Sequence, residues 1–411
     1  MLQRFILDNH DADVAQLALH RERYPMLSDS DFRYGLQQID GRQRTKDKLP
    51  TFASIPGWIY PPRLNLEQCS SERTARFKAS LLSSVTGHFS PFTLIDATGG
   101  YGVDTFFMSA EAQQTHYFEQ NTELATIAEH NFRLAGKTIH CHPEPFTVQS
   151  LSTFDFRLST VLYLDPARRD SHGGKVFRLA DCTPNVIEII RSIRLIREQK
   201  ICVLLKLSPM LDFHQAIAQL GGNWDIYIVS VNNEAKELLL LSDGTGQINA
   251  VMLTDDGDPV FSFTPDEESS AEVRYISSAC VNSADSVLND LPTYVYEPDA
   301  ALLKAGAFRL LSARYGLLKA AANTHLYFAD TTEAFRALPL AGRIWQIVGI
   351  YARAKELQRV LTRANVLTRN YVLPVDALRK QLKLKDGGDD YIIGCRVADK
   401  PLLLHCRRCQ L

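Results

Sequence analysis

Three short stretches of this 411-residue sequence place acids and glycines at spacings that could do chemistry. The first is Leu94-Ile95-Asp96-Ala97-Thr98-Gly99-Gly100-Tyr101-Gly102-Val103-Asp104. A strand-like run ends in an acid, glycines follow, and a helix begins. Glycines let a ligand approach the backbone because no Cβ stands in the way. A helix N-terminus adds unpaired amides. The dinucleotide fingerprint G-x-G-x-x-G puts a pyrophosphate at such a place. Here Gly100-x-Gly102 follows an aspartate, which suits a ligand with a cationic amino group and no phosphate. The second stretch, Thr115-His116-Tyr117-Phe118-Glu119, ends another strand in an acid that can accept hydrogen bonds from ribose hydroxyls. A nicotinamide and an adenosyl cofactor would both use such an acid. The third, Val161-Leu162-Tyr163-Leu164-Asp165-Pro166-Ala167-Arg168, ends a further strand in Asp-Pro.

The elements that must position these residues are legible in the pattern. Residues 1–90 read as mostly helical, with Ser70 and Ser71 before Glu72 as a helix start. Residues 91–245 change rhythm. Strand-like runs at 92–96, 115–119, 138–142, 161–165, 201–208, 226–231 and 237–242 alternate with helical spacing at 124–134 and 186–196. That alternation predicts a parallel, doubly wound sheet. Only Asn232–Lys236 separate the last two strands, too few for a crossover helix, so these two are expected to be antiparallel. The turn signals Asp256-Gly257-Asp258-Pro259 predict a hairpin or loop insertion. Beyond it the spacing predicts a helix over 299–316, a strand over 325–329, and then strand, helix, extended piece, helix, strand, strand. The anchors of that last series are 345–350, 355–363, 376–383, 391–396 and 402–406.

Composition excludes several classes. Hydrophobic residues make up 45% and charged residues 22%, the balance of a globular chain rather than a disordered or fibrous one. No apolar run reaches the roughly 18 residues that span a bilayer. Met1 to Asp13 is too acidic for a signal peptide. Eight cysteines in so long a chain are read as reduced thiols of a cytoplasmic protein. The net charge of −2 is uneven: residues 331–411 hold 15 Lys/Arg against 7 Asp/Glu, a local +8. A basic terminal piece suggests a polyanion-binding module, and a solvated basic face would have the same composition. The spacing of Arg353, Lys355, Arg359 and Arg363 is helical.

Taken in order, the three motifs resemble those of class I S-adenosylmethionine-dependent methyltransferases. Asp165-Pro166 is similar to the Asp/Asn-Pro-Pro-aromatic strand end of nucleic-acid amino methyltransferases. Asp96-Ala97-Thr98 with Gly102-x-Asp104 is similar to guanine-N2 enzymes. The sequence departs from the pattern after Asp-Pro: Ala167 replaces the second proline and Arg168 the aromatic. A guanidinium can stack on a base, and a different target atom is equally open. The stretches Glu67–Lys78, Tyr296–Gly306, Arg369-Asn370-Tyr371 and Leu384–Asp389 look like a bacterial family of methyltransferases with a C-terminal THUMP-like domain.

The resemblance implies an α/β protein with a Rossmann-like class I methyltransferase core, a helical N-terminal part, and small α+β, ferredoxin-like and THUMP-like, C-terminal domains. The expected divisions are 1–90, 91–249, 250–330 and 331–411. It implies S-adenosyl-L-methionine as cofactor, with Asp96, Thr98, Gly100, Gly102, Asp104, Glu119 and Asp165 as its contacts. Asp165, Pro166 and Arg168 are the expected catalytic residues. RNA, either tRNA or rRNA, is the expected substrate, docked through Arg363, Arg369 and Asn370, with a base nitrogen as acceptor. No metal, membrane or obligate protein partner is expected. The alternative is a non-catalytic RNA-binding protein that keeps the methyltransferase scaffold. Cys406-Arg407-Arg408-Cys409 is read as a frayed tail with free thiols, because zinc needs about four ligands.

Overall fold

The computed structural model describes residues 1–87, 91–156, 159–167, 179, 182–196, 201–281, 291–336, 338 and 341–409. They form two compact units, 1–224 with 238–244, and 225–237 with 245–411.

The first unit begins with short helices started by side-chain caps. Asp13 caps the helix Val14–Leu19, Ser28 caps Asp29–Thr45, and Ser71 caps Glu72–Thr86 through the Thr74 amide. Phe5, Leu17, Leu27, Phe32 and Ile39 close a small core among the early helices. Five parallel strands follow: β1 (Phe92–Asp96), β2 (Gln114–Phe118), β3 (His140–His142), β4 (Ser159–Leu164) and β5 (Ile201–Leu207). Their order is β3-β2-β1-β4-β5. Every residue of β1 is buried, as a central parallel strand requires. The helices Val103–Met108, Thr122–Leu134, Val186–Leu195 and Phe213–Leu220 occupy the connections. The strand β7 (Glu234–Ser242) completes this sheet; β6 (Trp224–Val231), which precedes it, and the turn residues Asn232 and Asn233, both at positive φ, fall mostly in the second unit. β7 runs antiparallel to β5, with Leu204 opposite Leu241. The antiparallel end of the Rossmann-like sheet is therefore as expected. Three strand ends fall one residue short of the expectation: β2, β4 and β5 stop at Phe118, Leu164 and Leu207, so Glu119, Asp165 and Ser208 stand just past them.

In the second unit β8 (Ile248–Leu253) is parallel to β6 and antiparallel to β9 (Val260–Phe263). The acidic segment thus forms a hairpin, followed by the helix Pro265–Ser270 with a Thr264–Glu267 capping box. A seven-stranded sheet comprises β10 (Tyr294–Pro298), β11 (Leu318–Ala321), β12 (Thr324–Ala329), β13 (Gly342–Tyr351), β14 (Asn365–Arg369), β15 (Asp390–Val397) and β16 (Lys400–Cys409). Its order is β11-β12-β10-β13-β16-β15-β14. Val295 and Phe328 share one core with Trp345, Ile393, Leu404 and Cys406.

Three sequence expectations are corrected here. The helix expected over 299–316 is two, Ala300–Ala305 and Leu310–Tyr315, because Gly306 ends the first in the left-handed conformation. The helix expected over 355–363 is one turn, Ala354–Leu357. It buries Ala354 and Leu357, and the chain then leaves for β14 through a backbone bond from Ala364 to Lys385. Arg359 and Arg363 therefore lie off that helix. The C-terminal cysteines are not in a frayed tail. β16 is paired on both sides, with β13 and β15, and Cys406 is fully buried within it.

Candidate active site

A cleft of about 1190 Å³ opens in the first unit at the C-terminal edge of the parallel strands. It exceeds the roughly 300–1,000 Å³ of an ordinary small-molecule pocket, which leaves room for two reactants side by side. Asp96, Thr98, Gly100, Gly102, Asp104, Glu119, Asp165 and Pro166 all line it. Parallel topology explains this, because every β-to-α turn in such a sheet emerges on the same edge. Arg168 lies outside the described residues.

The glycine turn is shaped for close approach. Gly100 has φ +55 and Gly102 φ +80, a region that side chains disfavour. A Cβ on Gly102 would sit 2.5 Å from the Phe132 ring, so this glycine also lets the helix Thr122–Leu134 pack. A Cβ on Gly100 would meet no heavy atom closer than 3.9 Å, so conformation is what constrains that position. Glu119 is locked to the turn: its Oε2 accepts from the Gly100 amide at 2.9 Å, and its Oε1 from the Asn121 amide at 2.7 Å. Asp96 sits beneath, buried, accepting from the Thr98 amide at 3.0 Å and the Thr105 hydroxyl at 2.5 Å. Burial pushes its carboxyl up to about 7, against the pull of those two bonds.

Thr98 ties two strand ends together, because its Oγ1 accepts from the Asp165 amide at 2.6 Å. The Asp165 carboxylate takes the Lys206 ammonium on Oδ2, also at 2.6 Å. Lys206 is the one charged residue of β5. Its Nζ lies 3.1 Å from the Ser70 hydroxyl and 3.7 Å from Asp104 Oδ2.

Asp104, expected as a cofactor contact, has its carboxylate engaged by the protein itself. Ser70 and Tyr163 donate hydroxyl bonds to Oδ2 at 2.8 and 2.6 Å, and Lys78 Nζ lies 3.2 Å from Oδ1. Burial would raise this acid, but the Lys78 and Lys206 ammoniums outweigh it and hold the carboxyl below its ordinary value. Its carboxylate, which also lines the cleft, thereby supports the turn from beneath. Lys78, Lys206 and Ser70 were missed as site residues. The lone lysine in an apolar strand was the signal for Lys206. Lys78 stands in an amphipathic helix and carries no signal of its own.

The basic residues singled out in the C-terminal part separate on inspection. Arg363 is exposed. Arg369 is paired within the unit: its Nε donates to Glu297 at 2.6 Å, and its Nη2 reaches the same carboxylate. The Asn370 amide donates to the Thr324 hydroxyl at 3.2 Å from a left-handed backbone, φ 54. Both side chains link the C-terminal end of β14 to β10 and β12 of the same unit. Among the described residues no cluster of His, Cys, Asp or Glu could hold a metal, and no helix is long and apolar enough to cross a membrane.

The sheet order, the glycine turn and the acids at the strand ends define a Rossmann-like, class I methyltransferase fold. Residues 294–335 match the ferredoxin-like domain family and residues 342–408 the THUMP domain-like family. A crystal structure from Porphyromonas gingivalis W83, assigned as a methyltransferase, superposes with a TM-score of 0.81 at 29% identity, covering 100% of this chain and 98% of that one. An uncharacterized S-adenosylmethionine-dependent methyltransferase of Mycobacterium tuberculosis (strain CDC 1551 / Oshkosh) is 24% identical over 356 residues, 84% of this chain and 87% of its own. Its counterpart in strain H37Rv aligns identically. Over nearly its whole length the chain is thus similar to S-adenosylmethionine-dependent methyltransferases, and its C-terminal part matches ferredoxin-like and THUMP-like domains.

Proposed function

We propose that the protein transfers a methyl group from S-adenosylmethionine to RNA, a tRNA or rRNA of the cytoplasm, with a base nitrogen as acceptor. The observation that carries this reading is the meeting of the glycine turn, Glu119 and Asp165 in one cleft large enough for donor and acceptor. The residues present suit the cofactor: an uncluttered Gly100 backbone, an acid at the next strand end, and a buried Asp96 whose ionisation a cationic amino group would favour. When bound, S-adenosylmethionine supplies a methyl group already activated on a sulfonium.

The chain's own contribution is placement. Gly100 and Gly102 admit the methionine part, Glu119 accepts from the ribose, and Thr98 holds the Asp165 backbone to the turn. Asp165, with the Pro166 carbonyl, accepts hydrogen bonds from an amino group and turns its lone pair toward the methyl. Its negative charge favours the positive charge that develops on nitrogen. Arg168 is the third residue that this reading assigns to catalysis, on its place in the sequence after Asp165-Pro166. The same reading takes 1–90 as a helical N-terminal part, 91–249 as the core, 250–330 as the insertion with the ferredoxin-like piece, and 331–411 as the RNA-docking part. Tritium from labelled cofactor is expected to enter total RNA of a strain lacking the gene, and much less into RNA of the parent strain. No transfer to either RNA would sink the reading and favour a non-catalytic RNA-binding scaffold.

The buried Asp96 gives a pH dependence with a definite sign. Its carboxyl is raised to about 7, so it is largely neutral below that pH and ionised above it. A cationic ligand amino group binds the ionised form, so affinity for S-adenosylhomocysteine is expected to fall as pH drops from about 8 to about 6. Asp96→Asn should bind weakly and flatten that pH dependence. Calorimetry at several pH values reads it, and an identical slope in both proteins would remove Asp96 from the cofactor site.

RNA docking is supported by the THUMP-like match and the local +8 charge. Arg353, Lys355, Arg359 and Arg363 are all exposed. Changing all four to Glu is expected to weaken RNA binding at least tenfold, and to reduce its salt dependence, since phosphate contacts release counterions. Binding of S-adenosylhomocysteine should not change. Gel shifts at two salt concentrations check this, and equal salt slopes would move docking elsewhere. The full chain is the right background, because 295 and 328 share their core with residues beyond 340.

A further inference from the structure

Two ammoniums and two carboxylates alternate through the floor of the cleft. Lys78 Nζ is 3.2 Å from Asp104, Asp104 is 3.7 Å from Lys206 Nζ, and Lys206 Nζ is 2.6 Å from Asp165. Side-chain exposure rises along the series, 0%, 10%, 13% and 39%. The row therefore runs from a dry interior to the open wall where an acceptor would sit. Ser70 and the Tyr163 hydroxyl brace its middle through Asp104.

A lysine inside a strand paired on both sides has to be desolvated, and a structural role alone could be filled by an apolar residue there. The direction of the ammonium is informative. It meets Asp165 on Oδ2, and among the described residues no bond to Oδ1 is found. Pairing fixes the carboxylate in one rotation, because a short ammonium–carboxylate bond is directional and strong. One oxygen is then left for an incoming donor.

Resting on the reading that Asp165 faces the acceptor, we propose that Lys206 is a positioning residue of the transfer site. It turns Asp165 so that Oδ1 alone meets the acceptor, and it offsets part of the carboxylate's charge, leaving Oδ1 partly negative. The wall thus selects a neutral hydrogen-bond donor, such as a base amino group, over a cationic amine. Asp104, anchored by the buried Lys78, holds Lys206 from behind.

Binding of the cationic cofactor, compared with its neutral product, tests this without needing turnover. In the wild-type protein Lys206 offsets Asp165. In Lys206→Met, Asp165 becomes an uncompensated carboxylate in the cleft that would hold the cationic cofactor. S-adenosylmethionine should then gain about fivefold or more in affinity relative to S-adenosylhomocysteine, a factor of ten being 1.4 kcal/mol. Lys206→Arg, which keeps the charge, should retain the wild-type ratio. Lys206→Gln serves where the Met variant does not fold, and should behave as Met does. A ratio unchanged in the Met or Gln variant, or shifted equally in Arg, overturns the proposal. Absence of RNA labelling by the wild-type protein would instead overturn the RNA reading, while the binding ratio still decides the role of Lys206.

Discussion

Asp165→Ala is expected to lower methyl transfer to the labelled RNA by 100-fold or more, on the order of 3 kcal/mol of transition-state stabilisation. Affinity for S-adenosylhomocysteine should stay within a few-fold, because the link to the glycine turn is the Asp165 backbone amide, which alanine keeps. The side chain carries the effect. It supplies the acceptor-side oxygen and takes the Lys206 ammonium. Asp165→Asn should lose nearly as much, since a neutral amide favours a developing cation far less than a carboxylate does. Single-turnover rates with saturating cofactor are the measurement. Full activity in the alanine variant would refute the mechanism while leaving the fold untouched.

Loss of the buried cation beneath the site is expected to have the largest effect on stability. Lys78→Met removes a fully buried ammonium and leaves the Asp104 carboxylate with less compensation in the interior. Breaking a buried pair from one side costs about 3–5 kcal/mol. The denaturation midpoint of the first unit should fall accordingly. Lys78→Met combined with Asp104→Leu should recover a large part of that loss, because the uncompensated charge goes with its partner. Denaturant unfolding of the single and double variants measures the difference. Additive losses would mean that Lys78 and Asp104 do not act as a pair. The double variant should still lose activity, because Lys206 would then have no carboxylate behind it.

Neither variant follows from periodicity. Hydrophobic spacing reports which face of an element is buried, and it located β1, β2, β4 and β5 to within a residue or two. It could not show that Lys78 on a helix and Lys206 on a strand converge on Asp104, which precedes one and follows the other along the chain. Turn chemistry was missed where one glycine outweighed a helical pattern, at Gly306. The short helix Ala354–Leu357 shows the same limit in reverse: basic residues at helical spacing do not hold a helix that has only two apolar positions to bury.

By itself the sequence determined the Rossmann-like alternation, the glycine turn and the strand-end acids Asp96, Glu119 and Asp165. Those are local properties: a β-rich run, a residue type at its end, and a turn that only glycine tolerates. Parallel topology then brings every strand end to one edge without further information. The tertiary structure alone decided which charges are available to a ligand, at that edge and in the second unit. Asp104 and Arg369 are acid and base by sequence, yet each is neutralised by partners distant in the chain, Lys78 and Glu297. Coulomb attraction depends on separation in space and on local burial, and a linear pattern encodes neither. The same dependence joined Lys206 to Asp165, and with it set the charge that an acceptor would meet.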